Sequence, residues 1–200
     1  MDHYQSIEAP GYGDYREKGS KFFAYLRPCD SEQALKDLIA ELRKEHPSAR
    51  HFCYGAVIRA EHPEERSSDA GEPSGTAGLP ILNQLLSAEL RNVACVVVRY
   101  FGGTKLGKPG LIHAYKESTL LAISSTNIIT KTITRAVVID FAYDQTSAVM
   151  PLIERFEGAE ISDQDYNERC LVTVKVPKSR LDNALHLFDH IPSVSVSAVD

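Results

Sequence analysis

The longest uninterrupted apolar stretch of the chain, Val93-Ala-Cys-Val-Val-Val98, has no polar face, the pattern of a central strand covered on both sides of a sheet. Around it the hydrophobic period switches between two and 3.6. Ser20 to Arg27 and His51 to Arg59 read as strands rich in aromatic and β-branched residues. Between them, Asp30 opens a helix, with Gln33 three residues on in the manner of a capping box. That helix puts Leu35, Leu38, Ile39 and Leu42 on one face and ends at Pro47. The polar run from Glu61 to Gly78 is expected to be a loop, after which Ile81, Leu82, Leu85 and Leu86 give a second helix its buried face. The apolar strand then leaves through a glycine-rich turn, Gly102 to Gly110, into a third helix from about Leu111 to Ile123.

A polar, β-branched stretch, Ser124 to Thr132, ends that helix and is read as a linker. Beyond it the order is simple. Thr134 to Ala142 alternates as a strand, Gln145 to Phe156 has helical spacing, and Ile161 starts a short strand. Cys170 to Val176 is a strand, Leu181 to Phe188 a helix, and Val194 to Val199 a last alternating strand. The predicted fold class is α+β in two domains, a βα domain over 1–130 and a β-α-β-β-α-β domain of ferredoxin-like, split βαβ type over 131–200.

Composition narrows the function classes. Apolar residues are 43% and charged residues 24%, an ordinary globular mixture that excludes disordered and fibrous chains. No apolar run approaches the roughly 20 residues that span a bilayer. The first residues lack the basic and apolar regions of a secretory signal, so a cytoplasmic location without membrane attachment is expected. Cys29, Cys53, Cys95 and Cys170 are widely spaced, which suits reduced thiols rather than a zinc or redox motif, and Cys53 and Cys95 are expected inside buried strands. His46, His51 and His62 have no metal-ligand spacing, and neither a metal nor a cofactor is expected. The formal charge of −5 argues against indiscriminate adhesion to nucleic acid. Its distribution is uneven: 1–130 carries 15 Lys and Arg against 16 Asp and Glu, 131–200 only 7 against 11.

Candidate chemistry sits in two loops. Val98 to Gly110 runs from strand through glycines to helix, where backbone N–H groups and a helix N-terminus can meet an anion, with Lys105 and Lys108 adding positive charge. Gly102 to Lys108 fits G-x-x-x-x-G-K, but Pro109 stands where a nucleotide-hydrolysing P-loop needs Ser or Thr for Mg²⁺. The same glycines also suit a tight strand-to-helix crossing. In the other loop, Ser67 to Pro80, Ser74 lacks the G-x-S-x-G context of a nucleophile, and Ser74 or Thr76 would serve as a helix cap. Asp69 and Glu72 have a spacing compatible with acid–base work or with a solvated loop, and Glu72, Ser74 and the glycine-rich loop together could form one surface for a partner. Phe22, Phe23 and Tyr25, interleaved with Arg16, Lys18, Lys21 and Arg27, suit single-stranded nucleic acid or, for half of them, the core.

The segments Gly71-Glu-Pro-Ser-Gly-Thr-Ala-Gly78 and Val97-Val-Arg-Tyr-Phe-Gly-Gly-Thr-Lys-Leu-Gly107, followed by Ala114-Tyr115, resemble the hallmark segments of the IMPACT/YigZ family. The likeness covers roughly residues 15–125, while 131–200 is similar only in length and element order to the ferredoxin-like C-terminal domain of bacterial members. The resemblance implies a first domain with the fold of the second domain of a small-subunit ribosomal protein and of domain four of elongation factor G, and a tail like the latter's domain five. It further implies a link to translation, which eukaryotic members regulate by competing for the activator of the kinase that senses uncharged tRNA. Those members also associate with actin. It carries over no catalytic residue. This chain departs from the family pattern at Lys108-Pro109, where Pro109 removes an N–H donor from any phosphate cradle.

The expected function is therefore a non-enzymatic, translation-linked binding protein. Its partner would be RNA, the ribosome or a ribosome-associated protein. The expected surface comprises Glu72, Ser74, Thr76, Arg99, Tyr100, Gly102, Gly103, Lys105, Gly107, Lys108 and Lys116. The alternatives are a small-molecule enzyme or binder of a phosphorylated ligand using the same loops, and a protein-interaction module whose acidic tail docks to a basic partner.

Overall fold

The structure, a computed structural model, describes residues 2–199. It divides into two compact units, residues 4–131 and residues 132–199 together with Asp2 and His3.

The first unit is built on β6 (Val93–Tyr100), the central strand of a five-stranded sheet. On one side β6 pairs with β3 (Ser20–Pro28), which pairs with β2 (Gly11–Glu17); on the other it pairs with β4 (His51–Ile58), which pairs with β5 (Glu64–Ser68). Every pairing is antiparallel. The unbroken apolar run of β6 follows from this position, because its alternate residues serve two cores. Val93, Cys95 and Val97 join one with Phe22, Cys53, Ile81, Leu85 and Tyr115. Ala94, Val96 and Val98 join the other with Leu35, Leu38, Leu42 and Phe52. Helices α2 (Gly78–Ser87) and α3 (Gly107–Ser124) cover the first face, and α1 (Glu32–Glu45) packs on β4 and β6 from the second.

Local chemistry corrects several expectations. Ser31, not Asp30, caps α1: its hydroxyl accepts from the Ala34 N–H at 3.3 Å, while Gln33 bonds to Asp37 instead of closing a capping box. The run 61–78 is not all loop, since β5 lies within it as a polar edge strand whose side chains meet solvent on both faces. The stretch after α3 is not only a linker, because β7 (Ile128–Thr132) pairs there with β1 (His3–Ile7). Gly11 and Gly13 break the apparent strand pattern of β2 but are required by packing: a Cβ at Gly13 would stand 2.3 Å from the Ser118 carbonyl oxygen of α3.

In the second unit, β8 (Thr134–Phe141), β9 (Glu160–Tyr166), β10 (Cys170–Pro177) and β11 (Ser195–Val199) form an antiparallel sheet in the order β11-β8-β10-β9. With α4 (Thr146–Arg155) and α5 (Leu181–His186) the chain order is β-α-β-β-α-β, the split βαβ arrangement. Phe141, Val149, Ile153, Val172, Val174 and Phe188 lie in its core. The mixed α/β architecture matches the α+β expectation. All four cysteines are free and buried, and among the described residues no helix is long and apolar enough to cross a membrane.

Candidate binding surface

The two candidate loops are tied together from below. Arg99 lies on β6 in the same alternation as Cys95 and Val97, so its side chain projects to the α2–α3 face of the sheet. Its Nη1 donates to Glu72 Oε1 at 2.5 Å, and the hydroxyl of Tyr115, from the middle of α3, donates to the same oxygen at 2.9 Å. Strand, loop and helix thus meet at one carboxylate. The pair is deeply buried, with side-chain exposures of 7% for Arg99 and 4% for Glu72. Phe22 and Phe101 lie beside the guanidinium, which stands 5.4 and 5.6 Å from their ring centroids. Burial pushes the Tyr115 hydroxyl well above its ordinary value, and the neighbouring Cys53 and the Glu72 carboxylate, which accepts its hydrogen bond, add to that. The Cys53 thiol of β4 sits 3.2 Å from the Tyr115 hydroxyl and donates to the Asp69 carbonyl at 3.0 Å. Burial raises it to about 12, so it stays protonated at neutral pH.

Asp69 organises the first loop. Its Oδ1 accepts from the backbone N–H groups of Ala77 and Gly78 at 2.9 Å, and its Oδ2 from Gly75 at 2.8 Å. Asp69 therefore satisfies the open N-terminus of α2, the role expected of Ser74 or Thr76. Thr76 is buried and its hydroxyl turns back to the Pro73 carbonyl, at 2.6 Å. Burial alone would raise the Asp69 carboxyl, but the N–H donors outweigh it and hold it below its ordinary value.

A folded-state pKa below the unfolded one stabilises the protein above the unfolded value, and that stabilisation is lost as pH falls through the folded value. Asp69→Ala is accordingly expected to cost about 2 kcal/mol at neutral pH and progressively less below about pH 4. Urea denaturation of both proteins at pH 7 and pH 3 checks this.

The glycine-rich loop is held by close approach. Gly102 lies so near Gly19 and Ser20 that a Cβ would fall 1.9 Å from the Gly19 carbonyl carbon, and its N–H donates to the Ser20 hydroxyl at 3.1 Å. Helix α3 starts at Gly107, earlier than expected, so Pro109 falls in its first turn, where the lost N–H breaks no intrahelical bond. Gly103, Lys105, Gly107 and Lys108 are exposed, as are Ser74 and Lys116. Lys108, Ile112 and Lys116 follow at intervals of four along one side of α3. Ile112 and Lys116 share a groove of about 520 Å³ with Gly75, Leu79 and Asn83.

Not every expected residue belongs to this surface. Arg99 and Thr76 are consumed inside it, and the Glu72 carboxylate is a clasp rather than a contact. Tyr100 faces the opposite side of the sheet, where its hydroxyl lies 2.9 Å from His46 Nδ1.

Residues 18–123 match the family model described as the Impact N-terminal domain. The chain belongs to the IMPACT family. Its similarity extends over both units: it is 34% identical over 166 residues to the IMPACT family member YigZ of Escherichia coli, covering 82% of this chain and 81% of that protein. It is 36% identical to a Haemophilus influenzae IMPACT family member, covering 74% and 73% of the two chains. A crystal structure of a hypothetical protein superposes with a TM-score of 0.73 at 30% identity, over 100% of this chain and 98% of the other. The clasp and both loops lie inside the span that the IMPACT family model matches.

Proposed function

We propose that this IMPACT family member is a non-enzymatic, translation-linked binding protein that contacts RNA through the outer side of its two loops and the lysine-bearing side of α3. The observation that supports this best is the division of labour around the Glu72 clasp. Arg99, Tyr115 and Asp69 are used internally to fix the loops, which leaves Lys105, Lys108 and Lys116 exposed without ion-pair partners among the described residues. Exposed ammonium groups on backbone held in place by the clasp, with Lys116 lining an open groove, suit phosphates, which position a partner without reading its sequence. The groups near the loops that resemble catalytic parts are poorly suited to chemistry. Burial keeps the Cys53 thiol protonated, backbone donors hold Asp69, and Arg99 neutralises Glu72. The link to translation rests on the family resemblance.

The test is charge reversal. Lys105→Glu with Lys108→Glu is expected to weaken binding of a structured RNA at least tenfold by fluorescence anisotropy. The melting temperature should not change, because both side chains lie outside the core. Unchanged affinity would show that the surface lies elsewhere.

A further inference from the structure

On the α1 side of the first unit's sheet, α1 packs on β4 and β6 and His46 at its C-terminal end reaches Phe23 and Tyr25 of β3, while α3 covers β2 and β3 on the opposite face. The open area over β2 and β3 is paved with rings. Antiparallel register sets Tyr12 opposite Tyr25 and Lys21 opposite Tyr100, with Phe23 between. Tyr12 stacks near Phe23 and meets Tyr25 edge-on, with centroids 6.5 and 5.4 Å apart, and Phe23 meets Tyr100 edge-on at 5.9 Å. His46 lies 2.7 Å from the Tyr25 hydroxyl through Nε2 and bonds Tyr100 through Nδ1, which pins both rings. Tyr12 is 46% exposed and Phe101, at the end of β6, 58%. Phe101 lines a groove of about 300 Å³ with Gly19, Lys21, Phe23 and Tyr100.

Lys21 and Arg27 border this face in a chain of net charge −5, and the carboxylates near its rings are Asp14 and Glu45. Lys21 is exposed and makes no ion pair among the described residues. Arg27 lies over the Tyr25 ring, 5.7 Å from its centroid, and donates to the backbone carbonyls of Gly11 and Leu26. Asp14 is already paired with Arg16 at 2.8 Å. Exposed rings with Lys21 and Arg27 at two edges match unpaired bases that stack while their phosphates meet lysine and arginine.

We propose that this open sheet face binds single-stranded RNA, with bases stacking on Tyr12 and on Phe101 and the backbone running past Lys21 and Arg27. The choice of RNA rests on the function proposed above; the surface is separate from the loop lysines. Two arms keep the ideas distinguishable. Binding of a fluorescent eight-residue oligouridylate at about 50 mM salt is expected to weaken about tenfold for Tyr12→Ala and again for Phe101→Ala, while Tyr12→Phe binds like wild type. Tyr12 lies outside the core, whereas Phe101 also stands beside the Arg99 guanidinium. Thermal melting of each variant and a Phe101→Leu control, which keeps apolar cover but removes the ring, therefore separate lost stacking from a loosened clasp. The chain has no tryptophan, so Tyr12→Trp places a single reporter whose emission the oligonucleotide should quench saturably. Three results would overturn the proposal: no binding by the wild-type chain; loss of binding in the Lys105/Lys108 reversal but not in the ring variants; or equally tight binding of oligothymidylate, which would remove the preference for RNA. The first would leave the structured-RNA test of the loop surface standing.

Discussion

Glu72→Ala is expected to destabilise the first unit by about 3–5 kcal/mol, because it strands the Arg99 guanidinium in a space that excludes water. The carboxylate is the common acceptor for Arg99 and Tyr115, so one substitution orphans two donors. Arg99 Nε already lacks a partner, which leaves the guanidinium nowhere to turn. The effect depends on breaking the pair, not on losing its attraction. Replacing both partners by apolar residues of similar size, Glu72→Leu with Arg99→Met, should recover much of the loss. Urea unfolding followed by circular dichroism measures both variants. A loss below about 1 kcal/mol for Glu72→Ala would mean that the ion pair is solvated and does not clasp the loops.

Phe141→Ala is expected to cost a similar amount, about 3–5 kcal/mol, but in the other unit. Phe141 is fully buried, and the core around it draws only on residues between Val137 and Val196. A unit of this size rarely holds more than about 3–5 kcal/mol of stability, so the substitution should unfold residues 132–199 while the five-stranded sheet stays folded. Two-dimensional NMR would show the amide resonances of the second unit collapsing to random-coil positions and those of β3, β4 and β6 unmoved. Collapse of both sets would contradict the separate cores.

Legibility in the sequence followed burial. β6 was readable because each of its faces is buried, and β3, β4, β8 and β10 because at least one face is. β5 is a polar edge strand whose residues look like loop, β9, also polar, was marked only by Ile161, and β2 carries two glycines that serve the backbone of α3 instead of its own strand propensity. Both loops of the site stood out by their glycines and by the family resemblance, but the direction of individual side chains did not. Arg99 was expected on the partner-facing surface; its parity with Cys95 and Val97 on a two-sided strand turns it inward. Tyr100, one residue on, is turned to the other face by the same alternation. The Asp69 cap was hidden because its donors lie six to nine residues ahead, beyond the usual spacing of a local cap.

The salt dependence of RNA binding tests the central claim most directly. If Lys105, Lys108 and Lys116 meet phosphates, affinity for a structured RNA should fall about 10- to 40-fold between 50 and 200 mM salt, and the slope of log K against log salt should flatten by nearly two units in the Lys105→Glu, Lys108→Glu double variant. A slope near zero in the wild-type chain, or an equal slope in the two proteins, would contradict the assignment of the loop surface.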